Sequence, residues 1–128
     1  MDTSKKTILI VEDEPSLRNA LRDKLKKEGF NILTAQDGKE GWKKIKQNPD
    51  IVLLDLMLPK MPGEQILKLM NENGLIKKIP VIVLSVKGDE ANTQNCLRIW
   101  GVKDYLVKSD CPLEKIVKKI KKFLKTQS

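Results

Sequence analysis

Asp55 closes the apolar run Ile51-Val52-Leu53-Leu54, and Pro59 and Gly63 follow it in the next turn of sequence. Four apolar residues ending in a carboxylate read as a central parallel strand that delivers one charge to its carboxyl end. In an open α/β sheet that edge is where ligands bind. A second run, Ile8-Leu9-Ile10-Val11, ends in Glu12-Asp13-Glu14. Two strands ending in carboxylates predict a small site for a hard cation, with Asp55 as the candidate nucleophile. The bland alternative is a pair of solvated loop acids. It weakens because Val81-Ile82-Val83-Leu84 leads into Ser85, and Asp104-Tyr105-Leu106-Val107 leads into Lys108. Taken singly, Ser85 reads as a hydroxyl approaching a helix, Lys108 as a surface cation, and Asp13 as a cap for a helix near Pro15. Together, five polar groups of complementary chemistry at four strand ends read as one site.

The intervening segments carry helical signals. Pro15 suits a helix start, and Leu17, Leu21 and Leu25 recur at four-residue spacing up to a stop at Gly29. Asn31 to Ala35 is a shorter, mixed strand suited to a sheet edge. Asp37 caps a helix through about Gln47, with Trp42 and Ile45 inward, before Asn48-Pro49 breaks it. Glu64 to Asn73 forms another helix, ending in a turn at Asn73-Gly74. Asp89 or Asn92 opens a further one, with Cys96, Leu97 and Trp100 on one face. Pro112 begins the last helix, whose apolar stripe is Leu113, Ile116, Val117, Ile120 and Phe123/Leu124. Strands and helices in strict alternation predict a parallel sheet covered on both faces, with strand order 2-1-3-4-5 because the second and fifth strands are weak edges.

The 128 residues fit one domain, residues 1–128, with a core over about 7–124 and no linker or low-complexity tract. No apolar run approaches a membrane span and the N-terminus lacks a secretory segment, so the protein is expected to be soluble and cytoplasmic. The chain contains no histidine, which excludes a Ser-His-Asp triad, His-ligated zinc and an internal phosphohistidine. Cys96 and Cys111 lack metal or redox spacing and read as reduced thiols, although a place near a helix start would lower the pKa of Cys111. The net charge of +8 is concentrated at the end of the chain, where six lysines from Lys115 to Lys125 face the single Glu114. Without arginine or more aromatics than Phe123, that run reads as a solvated helix face and not as a nucleic-acid interface.

The segments ILIVEDEPSLR, PDIVLLDLMLPKMPG, IPVIVLSVKGD and DYLVKSD closely resemble the receiver domain of two-component response regulators, from about Thr7 to Leu124. The resemblance implies the flavodoxin-like (βα)5 fold, a doubly wound parallel sheet. It implies that Asp55 is the phosphoacceptor and that Asp13 and Asp55, the carbonyl of Met57 and, through water, Glu12 hold Mg2+, with Mn2+ a possible substitute. It makes Ser85 the switch hydroxyl, Tyr105 the switch aromatic, and Lys108 the cation that contacts the phosphoryl group. The implied partners are a histidine kinase or phosphotransfer protein and a downstream target protein or output domain. The implied state is a monomer or a phosphorylation-dependent dimer. The protein would be a switch with self-catalysed phosphorylation and dephosphorylation rather than an enzyme acting on another substrate.

Four features depart from that pattern. Val86 stands where a small residue is usual and is expected to narrow access to Asp55. Ser109 replaces a common proline after Lys108. Gly41-Trp42 and Gly101-Val102 replace alanine-containing pairs and read as repacking. Two other functions compete. A phosphatase of the haloacid-dehalogenase type needs a second aspartate two positions after the first, where this chain has Met57. A degenerate receiver used only for binding is disfavoured because all five site residues are present. The SDCPLEKIVKKI text after Lys108 differs from the ending common in receivers fused to winged-helix domains, which favours a stand-alone receiver or another architecture.

Overall fold

The computed structural model describes residues 5–86, 88–110 and 112–125. The expected apolar runs become β1 (Thr7–Val11), β2 (Asn31–Ala35), β3 (Ile51–Asp55), β4 (Val81–Ser85) and β5 (Asp104–Val107). They pair in parallel in the order β2-β1-β3-β4-β5. β3 and β4 are buried throughout, whereas β2 and β5 are partly exposed along most of their length. A strand covered on both faces has no side for polar residues, so the central strands are unbroken apolar runs.

Five helices cover the sheet: α1 (Pro15–Lys27), α2 (Gly38–Ile45), α3 (Gly63–Glu72), α4 (Glu90–Trp100) and α5 (Leu113–Lys125). Alternation along the strands divides the core into two layers. Leu9, Val11, Val52, Leu54, Val81 and Val83 meet α2, α3 and α4. Ile8, Ile10, Ile51, Leu53, Ile82 and Leu84 meet α1 and α5. Lys24 pairs with Glu114, and Lys121 with Glu28 at 2.6 Å, so ion pairs clasp α1 to α5. No helix among the described residues is long and apolar enough to cross a membrane.

Several local expectations change. α2 ends at Ile45, not near Gln47, because the next amides turn back to carbonyls three residues earlier and Asn48 takes φ 60° before Pro49. Glu14, not Asp13, occupies the N-cap of α1, and no side chain caps that end. Lys115, Lys118, Lys121 and Lys122 are exposed as expected. Lys119 is not: it is half-buried against Asp104, because its place beside Ile116 and Ile120 carries it over the start of β5. The side chain of Lys125 and the whole of Cys111 lie outside the described residues.

Candidate functional site

Glu12, Asp55, Ser85 and Lys108 all come to the carboxyl edge of the sheet, as the sequence predicts. Asp55 is 2% exposed. Its Oδ2 accepts a hydrogen bond from Lys108 Nζ at 3.0 Å, and its Oδ1 accepts one from the Met57 N–H at 3.0 Å. The Met57 side chain itself is exposed, so only the backbone of this residue takes part. α3 can begin directly behind this point because Gly63 has no side chain: a Cβ there would stand 2.5 Å from the Asp55 carbonyl oxygen. On the other side, Gly38 lets α2 start against the same loop, where a Cβ would meet the carbonyl of Met61. The loop carrying Met57 is therefore fixed between two helix starts.

Glu12 is fully buried. Its N–H donates to Ala35 O at 3.0 Å, its Oε2 accepts from the Glu14 N–H at 3.0 Å, and Arg18 Nη1 donates to its carbonyl at 2.9 Å. Its Oε1 lies 2.6 Å from Lys108 Nζ, in a direct charge pair. Burial pushes the Glu12 carboxyl up to about 7, against the pull of Lys108 and the Glu14 N–H and helped by the charge of Asp55. For Lys108, burial works against the cation, but the Glu12 and Asp55 carboxylates outweigh it and raise its pKa. Asp13 is exposed beside them, and one oxygen each from Glu12, Asp13 and Asp55 lies within 4.8 Å of the others. Three carboxylates that converge at one strand edge fit a hard divalent cation.

Ser85 is 3% exposed. Among the described residues its Oγ meets Thr93 Oγ1 at 2.8 Å and Val86 O at 3.3 Å. Tyr105 is half-buried and packs on the layer shared with α4. Val86, expected as a pocket wall, is 37% exposed. No peptide bond among the described residues is cis, so Ser109 follows Lys108 through an ordinary trans bond. The sequence reading missed Thr93, which is completely buried in α4. A signal was present: Thr93 stands at the head of the Cys96, Leu97 and Trp100 stripe, in the i, i+3, i+4, i+7 pattern.

A family model for the response regulator receiver domain matches residues 8–121. This chain belongs to that family. The receiver is 36% identical over 110 residues to the alkaline phosphatase synthesis transcriptional regulatory protein PhoP of Bacillus subtilis, covering 85% of this chain and 45% of PhoP. It is 39% identical over 123 residues to the transcriptional regulatory protein SrrA of Staphylococcus aureus, covering 94% of this chain and 49% of SrrA. The receiver thus spans about half the length of these relatives. Among solved structures, the receiver domain of Francisella response regulator 1452 matches with a TM-score of 0.87 at 25% identity, over 97% of this chain and 100% of that one. TrrA of Thermotoga maritima, solved in complex with Mg2+-BeF, matches with a TM-score of 0.76 at 32% identity, over 91% and 97% of the two chains. The flavodoxin-like architecture and the acidic strand-end cluster are those of a receiver.

Proposed function

We propose that this receiver accepts one phosphoryl group on Asp55 from a partner's phosphohistidine and relays the change through the α4-β5-α5 surface. The observation that carries the reading is Asp55 itself. It is a buried carboxylate, oriented by Lys108 and the Met57 amide, and it lies in reach of two further carboxylates. Asp13, Asp55 and the Met57 carbonyl, with Glu12 through water, would hold Mg2+, and Mn2+ takes the same oxygen donors. Such an ion supplies positive charge that offsets the repulsion between a carboxylate and an incoming phosphoryl group.

In the transfer, an Asp55 oxygen attacks phosphorus, the P–N bond to the donor imidazole breaks, and the imidazole keeps the electron pair. Lys108 follows the charge from the carboxylate to a phosphoryl oxygen, as a compact ammonium on a flexible stem can. Ser85 donates to a second phosphoryl oxygen, and Tyr105 moves into the space its hydroxyl vacates. Water later attacks phosphorus and releases phosphate, which restores the carboxylate. The chain acts as one receiver domain in the cytoplasm, its donor a histidine kinase or phosphotransfer protein. Its output is a downstream protein or an attached domain, without direct contact to nucleic acid.

The test is labelling by acetyl phosphate in the presence of Mg2+. One hydroxylamine-sensitive phosphoryl group per chain is expected, lost in Asp55→Asn and lost when the divalent cation is chelated. Stoichiometric label that persists in Asp55→Asn rejects Asp55 as the acceptor, and label that persists under chelation rejects the divalent-cation site.

A further inference from the structure

The Ser85 hydroxyl has a competitor for its only proton. Thr93, in the first turn of α4, is completely buried. Its Oγ1 donates to the carbonyl of Asp89 at 3.0 Å and also lies 2.8 Å from Ser85 Oγ. A hydroxyl carries one proton and two acceptor lone pairs. With the Thr93 proton on Asp89, both contacts are hydrogen bonds only if Ser85 donates to Thr93. The alternative acceptor for that proton, Val86 O, is farther away at 3.3 Å. Asp89 O does not depend on the side chain, since the Thr93 N–H also reaches it at 3.1 Å.

We propose that Thr93 is a positioning residue that captures the Ser85 hydroxyl proton in the unmodified receiver, so that a phosphoryl group on Asp55 must take this proton from α4. The proposal rests on the reading of Asp55 as the phosphoacceptor. Ser85 cannot donate to Thr93 and to a phosphoryl oxygen at once. When the phosphoryl oxygen wins, Thr93 loses one donor yet keeps its own bond to Asp89. No buried polar atom is orphaned, and the exchange stays easily reversible. What changes is the tie between the end of β4 and the first turn of α4. That tie lies on the inner face of this helix, where, among its described side chains, Thr93 and Cys96 are the fully buried ones. Thr93 thus sets how strongly the unmodified state is preferred, and it couples the chemistry at Asp55 to the position of α4.

Two substitutions separate the hydroxyl from the shape. Thr93→Val keeps the branched side chain and removes the acceptor, whereas Thr93→Ser keeps the acceptor. Affinity for beryllium fluoride is measured at saturating Mg2+, with urea unfolding to confirm folded variants. Thr93→Val is expected to bind about threefold to tenfold more tightly, the equilibrium worth of one neutral hydrogen bond. Thr93→Ser is expected to match the wild type. In a Ser85→Ala background, Thr93→Val should have no further effect, which a purely structural role would not produce. If Thr93→Val packs badly, Thr93→Ala makes the same comparison. Equal or weaker binding by a folded Thr93→Val protein overturns the proposal, as does Thr93→Ser behaving like Thr93→Val. A wild type that shows no Asp55-dependent binding of beryllium fluoride overturns the functional reading first, and the proposal with it.

Discussion

The helices α4 and α5 follow adjacent strands, and they are held in opposite ways. α5 lays Ile116, Val117, Ile120 and Leu124 into the sheet and adds ion pairs from Lys119 to Asp104 and from Lys121 to Glu28. Among its described side chains α4 has only Thr93 and Cys96 fully buried, and it begins without a side-chain cap and leaves Ile99 61% exposed. The contrast continues into the site. The residue after β5 brings a half-buried ammonium that pairs with two carboxylates, whereas β4 brings a neutral hydroxyl bonded to a second neutral hydroxyl. An apolar stripe and charge pairs fix one helix. A short hydroxyl chain leaves the other free to be repositioned at low cost, as a switch surface requires.

Core truncation should expose this asymmetry most strongly. Ile120→Ala on α5 is expected to cost about 2–5 kcal/mol in urea unfolding, as for other buried large-to-small changes. Cys96→Ala on α4 is expected to cost about 1 kcal/mol, since a smaller group leaves a smaller void. Equal losses would mean that α4 is packed as firmly as α5.

A second measurement distinguishes the charged side of the site from the neutral one. With its pKa near 7, Glu12 is largely protonated below that pH, and binding of Mg2+ must expel the proton. Affinity for Mg2+, measured by titration of the unmodified protein, is expected to fall about tenfold per pH unit below 7 and to level off above about 8. The ratio of beryllium fluoride affinities between Thr93→Val and wild type should stay constant over the same range, because neither hydroxyl titrates. A pH-dependent ratio would show that the two sides act as one network.

The smallest effect belongs to the ion pairs. Lys119→Gln should destabilise by about 0.2–1 kcal/mol, the range for partly exposed pairs, with the difference shrinking as salt rises. Lys118→Gln and Lys122→Gln, on the exposed face, should be neutral in stability. If they also leave phosphotransfer from the cognate kinase and its salt dependence unchanged, that face serves solubility alone. Slower transfer at low salt would instead assign it to docking an acidic patch.

The central strands were legible to within a residue because burial on both faces permits only apolar side chains, and the runs of β1, β3 and β4 stop where the polar site begins. The site residues were legible for the same reason, since they are the first polar groups after those runs. Thr93 was not, although it obeys the helical spacing. A threonine on that stripe reads as polar surface until its partners Ser85 and Asp89 are known, and Ser85 is eight positions away. Lys119 was missed in the same way, its partner Asp104 lying on a different element. Asp13 invited a capping role, but Glu14 stands at the N-cap position and no side chain caps that end. In each case a side chain's environment depended on a contact that sequence periodicity does not encode.

The clasp between α1 and α5 has a consequence for synthesis. Lys121 and Glu28 are 93 positions apart, and the layer beneath them is closed from one side by Leu21 and Leu25 and from the other by Ile120 and Leu124. As the chain leaves the ribosome, α2 and α3 can close over their side of the growing sheet while α1 alone covers part of the other. The α1 layer waits for the last helix. A nascent chain paused before α5 would lack Ile116, Val117, Ile120 and Leu124 over this layer, and would leave apolar surface open to water until translation resumed.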